Sequence, residues 1–422
     1  MSSVTNVQLD ALDMTSRRDL EETNLVDERV VVRGAAMTSF NRRDLSPQAL
    51  AQQALADAIA DARIEPDELG LVVASNATGG RLNEQGCVRG QAWLRKSGLG
   101  NVPVINVDNS CAGGSSAIHL GLLAARSSHL PVLVIGVEKM WTGDRSATLA
   151  GIEDGLPADY RADLHARLGK DADPAMSVLM GLNARWAEQH MKERGSTVRQ
   201  IAAAAAKARS HAARNPLAQW QQTVTIDEVL ASPPVAGVLT RLMCSSFTDG
   251  AAAVVLQRSR GQQDDGPYFV GSLARSGNGD LDYHERLTEV SEAAWNAFGI
   301  GPEDFDLVEL HDATSAEELF ALESLGFFAP GEAGPATLAG ATTIGGPGIT
   351  VNPSGGLVGR GHPLGATGIA QLVELVTQLE GRAGQRQVEG ARLGVAINTG
   401  GVIDGDAGYV GIFCLGTRKA RT

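Results

Sequence analysis

Aromatic residues are scarce in this chain: Phe, Trp and Tyr make up 4% of 422 residues, so the core must rest on Ala, Val, Leu and Ile. Cysteine is scarcer still, with four residues at 87, 111, 244 and 414. Their spacing offers neither a disulfide framework nor a zinc module, so no metal is expected and a reducing compartment fits best. No apolar run approaches the about 20 residues of a membrane-spanning helix, and Met1 to Asp13 has no apolar core of signal-peptide length. A cytoplasmic protein without a membrane span is expected. Positive charge is in deficit, 36 Lys and Arg against 49 Asp and Glu, for a net charge of −13. That excludes a general nucleic-acid role, which needs a basic face to displace counterions. A small anionic ligand is still compatible, because a few local cations can hold it against the global field.

What is present is glycine, 50 residues gathered around turns and motif loops, in a chain that is 43% apolar and 20% charged. This is the profile of a globular protein longer than one typical domain. The most informative feature is internal repetition. Residues Ala62–Thr78 and Phe298–Thr314 both read as a helix end, a Pro-acidic turn, a buried strand and a loop. In the same order, Ser110–Ile118 matches Gly361–Ile369, and Thr248–Val254 matches Ile403–Tyr409. Three ordered matches imply duplication. The expected organisation is a mobile arm over residues 1–28, an N-terminal half over 29–258 and a C-terminal half over 266–422. A charged insertion fills 141–234, where Thr197 is an expected helix N-cap. Within each half strands alternate with helices, which implies α/β layers with largely parallel sheets.

The chemistry gathers at the second match. A short apolar strand over 104–107 leads through a tight turn to Cys111, then to a helix that opens with small residues. Unpaired N–H groups and the positive end of the helix dipole there favour thiolate and predict a lowered pKa. In the second half the equivalent position is His362, inside the dense string Gly361-His-Pro-Leu-Gly-Ala-Thr-Gly368. If the halves pack about a pseudo-twofold axis, their matching helix starts face one another. A thiol then meets an imidazole, as an activated nucleophile requires.

From about Val30 onward the chain resembles the thiolase superfamily, and particularly the sterol-carrier-protein-type thiolases. The residues that carry the resemblance are Ser110-Cys-Ala-Gly-Gly114, Met243–Leu256, His311-Asp-Ala-Thr314, the string around His362, and Asn398-Thr-Gly-Gly401. It implies a duplicated five-layer αβαβα fold, in a homodimer or tetramer. It also implies an acyl-CoA or acyl-carrier substrate, with coenzyme A thioester as substrate and no tightly bound cofactor. By the same resemblance Cys111 carries the acyl group, His362 activates it and His311 helps bind a thioester oxygen. Backbone N–H groups of Cys111 and Gly400 would form the oxyanion hole, with Asn398 in support.

One departure matters. Thiolases place a second cysteine where this chain has Ala313 or, in other branches, Asn398, so thiolysis by the two-cysteine route is not expected. One cysteine with two histidines resembles the set of some ketoacyl synthases, which make the carbanion by decarboxylation; alternatively, His311 would deprotonate an already acidic acceptor. The expected activity is therefore acyl transfer or carbon–carbon condensation through acyl-Cys111. The alternatives are retro-aldol cleavage of a hydroxyacyl-CoA with a small OB-fold partner, and a non-catalytic acyl or lipid scaffold.

Overall fold

The computed structural model describes residues 29–42, 44–168, 177–259, 261 and 266–418. The arm expected over residues 1–28 lies outside the described residues.

Ten strands form one hydrogen-bonded set. The first half contributes β1 (Val30–Met37), β2 (Leu71–Ser75), β3 (Val104–Val107) and β4 (Val132–Glu138). A short hairpin of β5 (Pro234–Ala236) and β6 (Leu239–Thr240) stands apart, and β7 (Gly250–Arg258) returns to the sheet. The second half adds β8 (Tyr268–Ser276), β9 (Leu307–Glu309), β10 (Thr350–Val351), β11 (Leu393–Ile403) and β12 (Asp406–Gly416). The spatial order is β3-β2-β4-β7-β1 in one half and β10-β9-β11-β12-β8 in the other. These are the same order in mirror placement, joined where Val31 meets Tyr268.

Alternation along the strands sorts side chains into layers. Leu133, Ile135 and Val137 face outward onto Leu50, Leu55 and Ile59 of the helix Pro47–Ala62. That helix starts where Ser46 accepts from the Ala49 N–H at 3.1 Å and Pro47 occupies its first turn. Val132 and Val134 face inward onto Ile118, Leu122, Ile369 and Leu372. In the second half Val395, Ile397 and Ile412 pack outward against Leu287 and Val290, while Phe413 and Leu415 point inward. Helix, sheet, paired helices, sheet and helix therefore follow in sequence, which is the five-layer α/β thiolase arrangement.

The central layer holds the helices Gly113–Ser127 and Leu364–Leu379, and 15 of the 16 residues of the second are buried. A helix enclosed on every side needs its side chains apolar or paired; this one is mainly apolar, with a stripe of Gln371, Glu374 and Gln378, each hydrogen-bonded. The two cross at glycines. A Cβ at Gly114 would stand 2.9 Å from the backbone nitrogen of Gly368, and one at Gly368 would stand 2.6 Å from that of Ser115. Because both obstacles are backbone, neither can rotate aside. Gly368→Ala is expected to lower stability by about 2–3 kcal/mol through overpacking; a melting temperature within a degree of wild type would contradict this reading.

Cys111 and His362 each precede the start of their central helix by two residues, as the second sequence match implied. The third match needs correction. Leu71 pairs with Val132 and Leu307 with Gly394, so Val132 corresponds to Gly394. Across the next ladder Val134 faces Val254 and Ala396 faces Phe413, so Val254 corresponds to Phe413, whereas the sequence match had set it against Tyr409. A slip of four residues keeps every side chain on its own face, so hydrophobic alternation could not detect it.

Between β4 and β7 lie the helices Arg145–Glu153, Ala158–Leu168, Val178–Arg194, Val198–Ala212 and Ile226–Leu230. Thr197 caps the fourth, accepting from the Gln200 N–H at 3.3 Å. These helices roof the second half and close one side of a cavity above the two central helix starts. Among the described residues no helix is long and apolar enough to cross a membrane.

Candidate active site

The turn that follows β3 is locally strained. Ser110 has φ +51°, the left-handed region that residues with a Cβ rarely enter. The distortion aims Cys111 Sγ into the cavity, 3.8 Å from Ser110 Oγ. Gly400 of β11 packs directly against the same turn, and any side chain there would run into Asn109 O and Ala112 N. Glycine is thus required at 400 for close approach. Across the cavity His362 follows Gly361, whose φ of +111° is a glycine conformation. The loop before the Leu364–Leu379 helix is tied to the first half by Glu138, which accepts from the Gly365 N–H at 2.8 Å. Glu138 also accepts from the Ala77 and Thr78 N–H groups and from the Thr78 hydroxyl.

His311 leaves the end of β9, and the three expected groups converge. The ligating atoms of Cys111, His311 and His362 lie within 4.8 Å of one another, with the imidazole centroids 5.1 Å apart and edge to face. Their hydrogen bonds assign opposite tautomers. Thr367 Oγ1 donates to Pro363 O at 2.9 Å, so it accepts from His362 Nδ1 at 2.7 Å. His362 therefore carries its hydrogen on Nδ1 and presents a lone pair at Nε2. Asn398 Nδ2 donates to His311 Nδ1 at 2.9 Å, so His311 carries its hydrogen on Nε2. One imidazole is a base and the other a hydrogen-bond donor.

The electrostatics correct one expectation. The Cys111 thiol is pushed up to about 12, mainly by burial and further by Glu317 and Glu138, with the Ser110 hydroxyl pulling it down. Desolvation outweighs the helix dipole, so the resting group is a thiol and not the thiolate that the helix start suggested. Burial likewise lowers His311 to about 3. It holds His362 well below the ordinary range, helped by His311 and Arg360. All three groups rest neutral at physiological pH.

The cavity is about 550 Å³, within the usual range for a small-molecule site. Besides Cys111, His311 and His362 it is lined by Tyr283, Glu317, Thr399, Ala313, Gly400 and four arginines. Asn398 itself is fully buried behind His311. Cys244 also faces this space. Two further residues were missed. Tyr283 hydroxyl meets Thr399 Oγ1 at 2.8 Å and its ring stacks on Trp186 at 4.5 Å. Glu317 accepts from the Thr314 N–H at 3.2 Å beside Ala313. In the sequence Thr314 and Glu317 give only a helix-start pattern, which hides the carboxyl's position in the cavity wall.

Burial raises Glu317 to about 8, so it is mostly a neutral acid at pH 7. Above pH 8 it becomes an anion that opposes a thiolate at Cys111. Acylation of Cys111 is expected to be flat between pH 5 and 7.5 and to fall as pH passes through about 8. In Glu317→Gln that fall should vanish. A kcat/KM profile in which both proteins decline alike would reject this role.

Residues 30–260 match the family described as thiolase, N-terminal domain, and residues 273–410 match thiolase C-terminal domain-like. An acetyl-CoA acetyltransferase from Methanothermobacter thermautotrophicus is 37% identical over 385 residues, covering 88% of this chain and 96% of that one. Human sterol carrier protein 2 is 34% identical over 394 residues, covering 88% of this chain and 70% of its own. The benzoylsuccinyl-CoA thiolase subunit BbsB of Thauera aromatica is 32% identical over 378 residues, covering 86% and 92%. Among solved structures the Ltp2-ChsH2(DUF35) aldolase superposes with a TM-score of 0.73 at 22% identity, covering 94% of this chain and all of that chain. Human mitochondrial 3-ketoacyl-CoA thiolase in complex with CoA gives a TM-score of 0.68 at 16% identity with the same coverage. By sequence over both halves and by fold, this chain belongs to the thiolase superfamily.

Proposed function

We propose that the chain is an acyltransferase or carbon–carbon condensing enzyme that takes an acyl group from a coenzyme A thioester onto Cys111. The observation that carries this reading is the convergence of Cys111 with two oppositely protonated imidazoles, all from one chain, at the floor of a cavity. His362 Nε2 accepts the thiol proton as Sγ adds to the thioester carbonyl. The developing oxyanion takes a hydrogen bond from His311 Nε2–H and from the backbone N–H groups of Cys111 and Gly400. A preorganised donor of this kind is worth about 3–4 kcal/mol of barrier. Collapse forms the Cys111 thioester and expels coenzyme A thiolate, which takes the proton back from His362 and leaves as free thiol.

In the second half-reaction the acceptor attacks the acyl group and Cys111 leaves as thiolate; the proton it regains comes from solvent when the acceptor has lost carbon dioxide, or from the acceptor itself, relayed by His362 Nε2, when the acceptor is acidic. Ala313 and Asn398 offer no second thiol to make a carbanion. His311 Nε2, already protonated, suits stabilising an enolate oxygen better than abstracting a proton. The acceptor class favoured is therefore one that generates its nucleophile by losing carbon dioxide, or one already acidic. The exposed Arg42, Arg145 and Arg241 at the cavity wall suit coenzyme A phosphates.

The test is to incubate the protein with a panel of acyl-CoA donors and read intact mass together with released free thiol. One acyl group per chain with one equivalent of coenzyme A supports the transferase. Cleavage of a hydroxyacyl thioester with no adduct would establish the aldolase instead, and binding with neither event the scaffold.

A further inference from the structure

Among the described residues, the cavity wall holds one buried cation without a carboxylate partner. Arg209, on the Val198–Ala212 helix, is 5% exposed. Its guanidinium lies over the Trp220 ring at 4.4 Å from the centroid. Its Nε is shut off from water with no acceptor, and among the described residues no carboxylate pairs with it. The neighbouring cations of the same helix differ: Lys207 is buried against Glu318 at 2.5 Å, and Arg199 meets Asp227 at 2.8 Å in solvent. Burial alone lowers Arg209 below its ordinary value, with no opposing partner. A desolvated guanidinium without a counter-ion is destabilising in a finished site, which makes Arg209 a group waiting for an anion.

Where that anion sits follows from the surroundings. Trp220 N–H bonds Gly359 O and Gln219 N–H bonds Arg360 O, so the Arg209–Trp220 pair abuts the loop that delivers His362. The three other arginines of the cavity are exposed. The single carboxyl in the wall, Glu317, is mostly protonated at neutral pH. We infer that Arg209 binds a carboxylate carried by the acyl or acceptor part of the substrate, and so selects acids bearing a second, free carboxyl group over neutral acyl chains of equal length. A planar guanidinium held by an aromatic face presents its fork for two parallel hydrogen bonds to such a group. The inference rests on the acyl-CoA reading of the cavity, but its test does not need turnover.

The measurement is calorimetric affinity of the Cys111→Ala protein for succinyl- and glutaryl-CoA against butyryl- and valeryl-CoA. The same four acyl groups are also measured on pantetheine, which lacks the nucleotide phosphates. Binding of the carboxylated member should be tighter on the order of a hundredfold, on both carriers. The ratio should collapse towards one when Arg209→Gln is added. Arg209→Lys keeps the charge without the planar stack and should keep part of the ratio. Equal affinity for charged and neutral chains, or a preference that survives Arg209→Gln, overturns the inference. If Arg209→Gln weakens all coenzyme A thioesters alike and no pantetheine thioester, the anion is a coenzyme A phosphate and the carboxylate is rejected. Failure of every coenzyme A and pantetheine thioester to bind would instead count against the acyl-CoA reading.

Discussion

Cys111→Ala is expected to lose the acyl adduct entirely and to lower turnover by about a thousandfold or more, since loss of a nucleophile removes a whole reaction route. The fold should survive, because the change deletes one sulfur at the cavity wall while the supports of that turn are backbone. Ser110 keeps its left-handed turn and Gly400 its contact with residues 109–112 whatever side chain stands at 111. Circular dichroism and melting temperature should therefore match wild type while intact mass shows no acyl gain. An adduct of the same mass on Cys111→Ala would move the chemistry to another thiol, Cys244 being the next in the cavity wall. The acyl-Cys111 mechanism would then fall.

The second large effect belongs to His362. With the thiol pushed up to about 12, the thiolate fraction at pH 7 is on the order of 10⁻⁵. Attack without a base is correspondingly slow. Removing the base by His362→Ala is expected to slow acylation at pH 7 by about 10²–10⁴-fold. The pH dependence distinguishes this from simple damage. In the variant only hydroxide can supply thiolate, so the acylation rate should climb about tenfold per pH unit towards pH 10. Wild type should not climb in this way, since its proton acceptor is neutral and in place throughout. A variant whose rate stays equally low at every pH would show that His362 holds the structure and does not move the proton. Thr367→Val gives a milder case, because it removes the acceptor that fixes the His362 tautomer and leaves the ring present.

Much of the site was legible in the residues because the chain says nearly the same thing twice. The Ser110–Ile118 and Gly361–Ile369 matches place Cys111 and His362 at equivalent helix starts, and packing two copies about an axis brings equivalent points together. His311 and Asn398 were singled out only by the resemblance to the thiolase superfamily, through the His311-Asp-Ala-Thr314 and Asn398-Thr-Gly-Gly401 segments. Glu317 and Tyr283 were not, because each sits on a helix whose local pattern is satisfied by capping and packing. Nothing in a helix start says that its third residue will line a cavity. Nothing local sets Arg209 apart from Lys207 and Arg199 on the same helix; only the packed structure pairs those two with Glu318 and Asp227.

The sequence by itself indicated the duplicated α/β plan, the absence of a second thiol at Ala313 and Asn398, and Cys111, His311 and His362 as the candidate nucleophile and imidazoles. These follow from residue type and order, which a local pattern records. Tertiary structure alone decided the protonation states. Whether Cys111 rests as thiol or thiolate depends on how far burial outweighs a helix dipole, and burial is a sum over residues distant in the chain. Which imidazole is base and which is donor likewise hangs on Thr367 and Asn398, partners that only the packed core brings within about 3 Å.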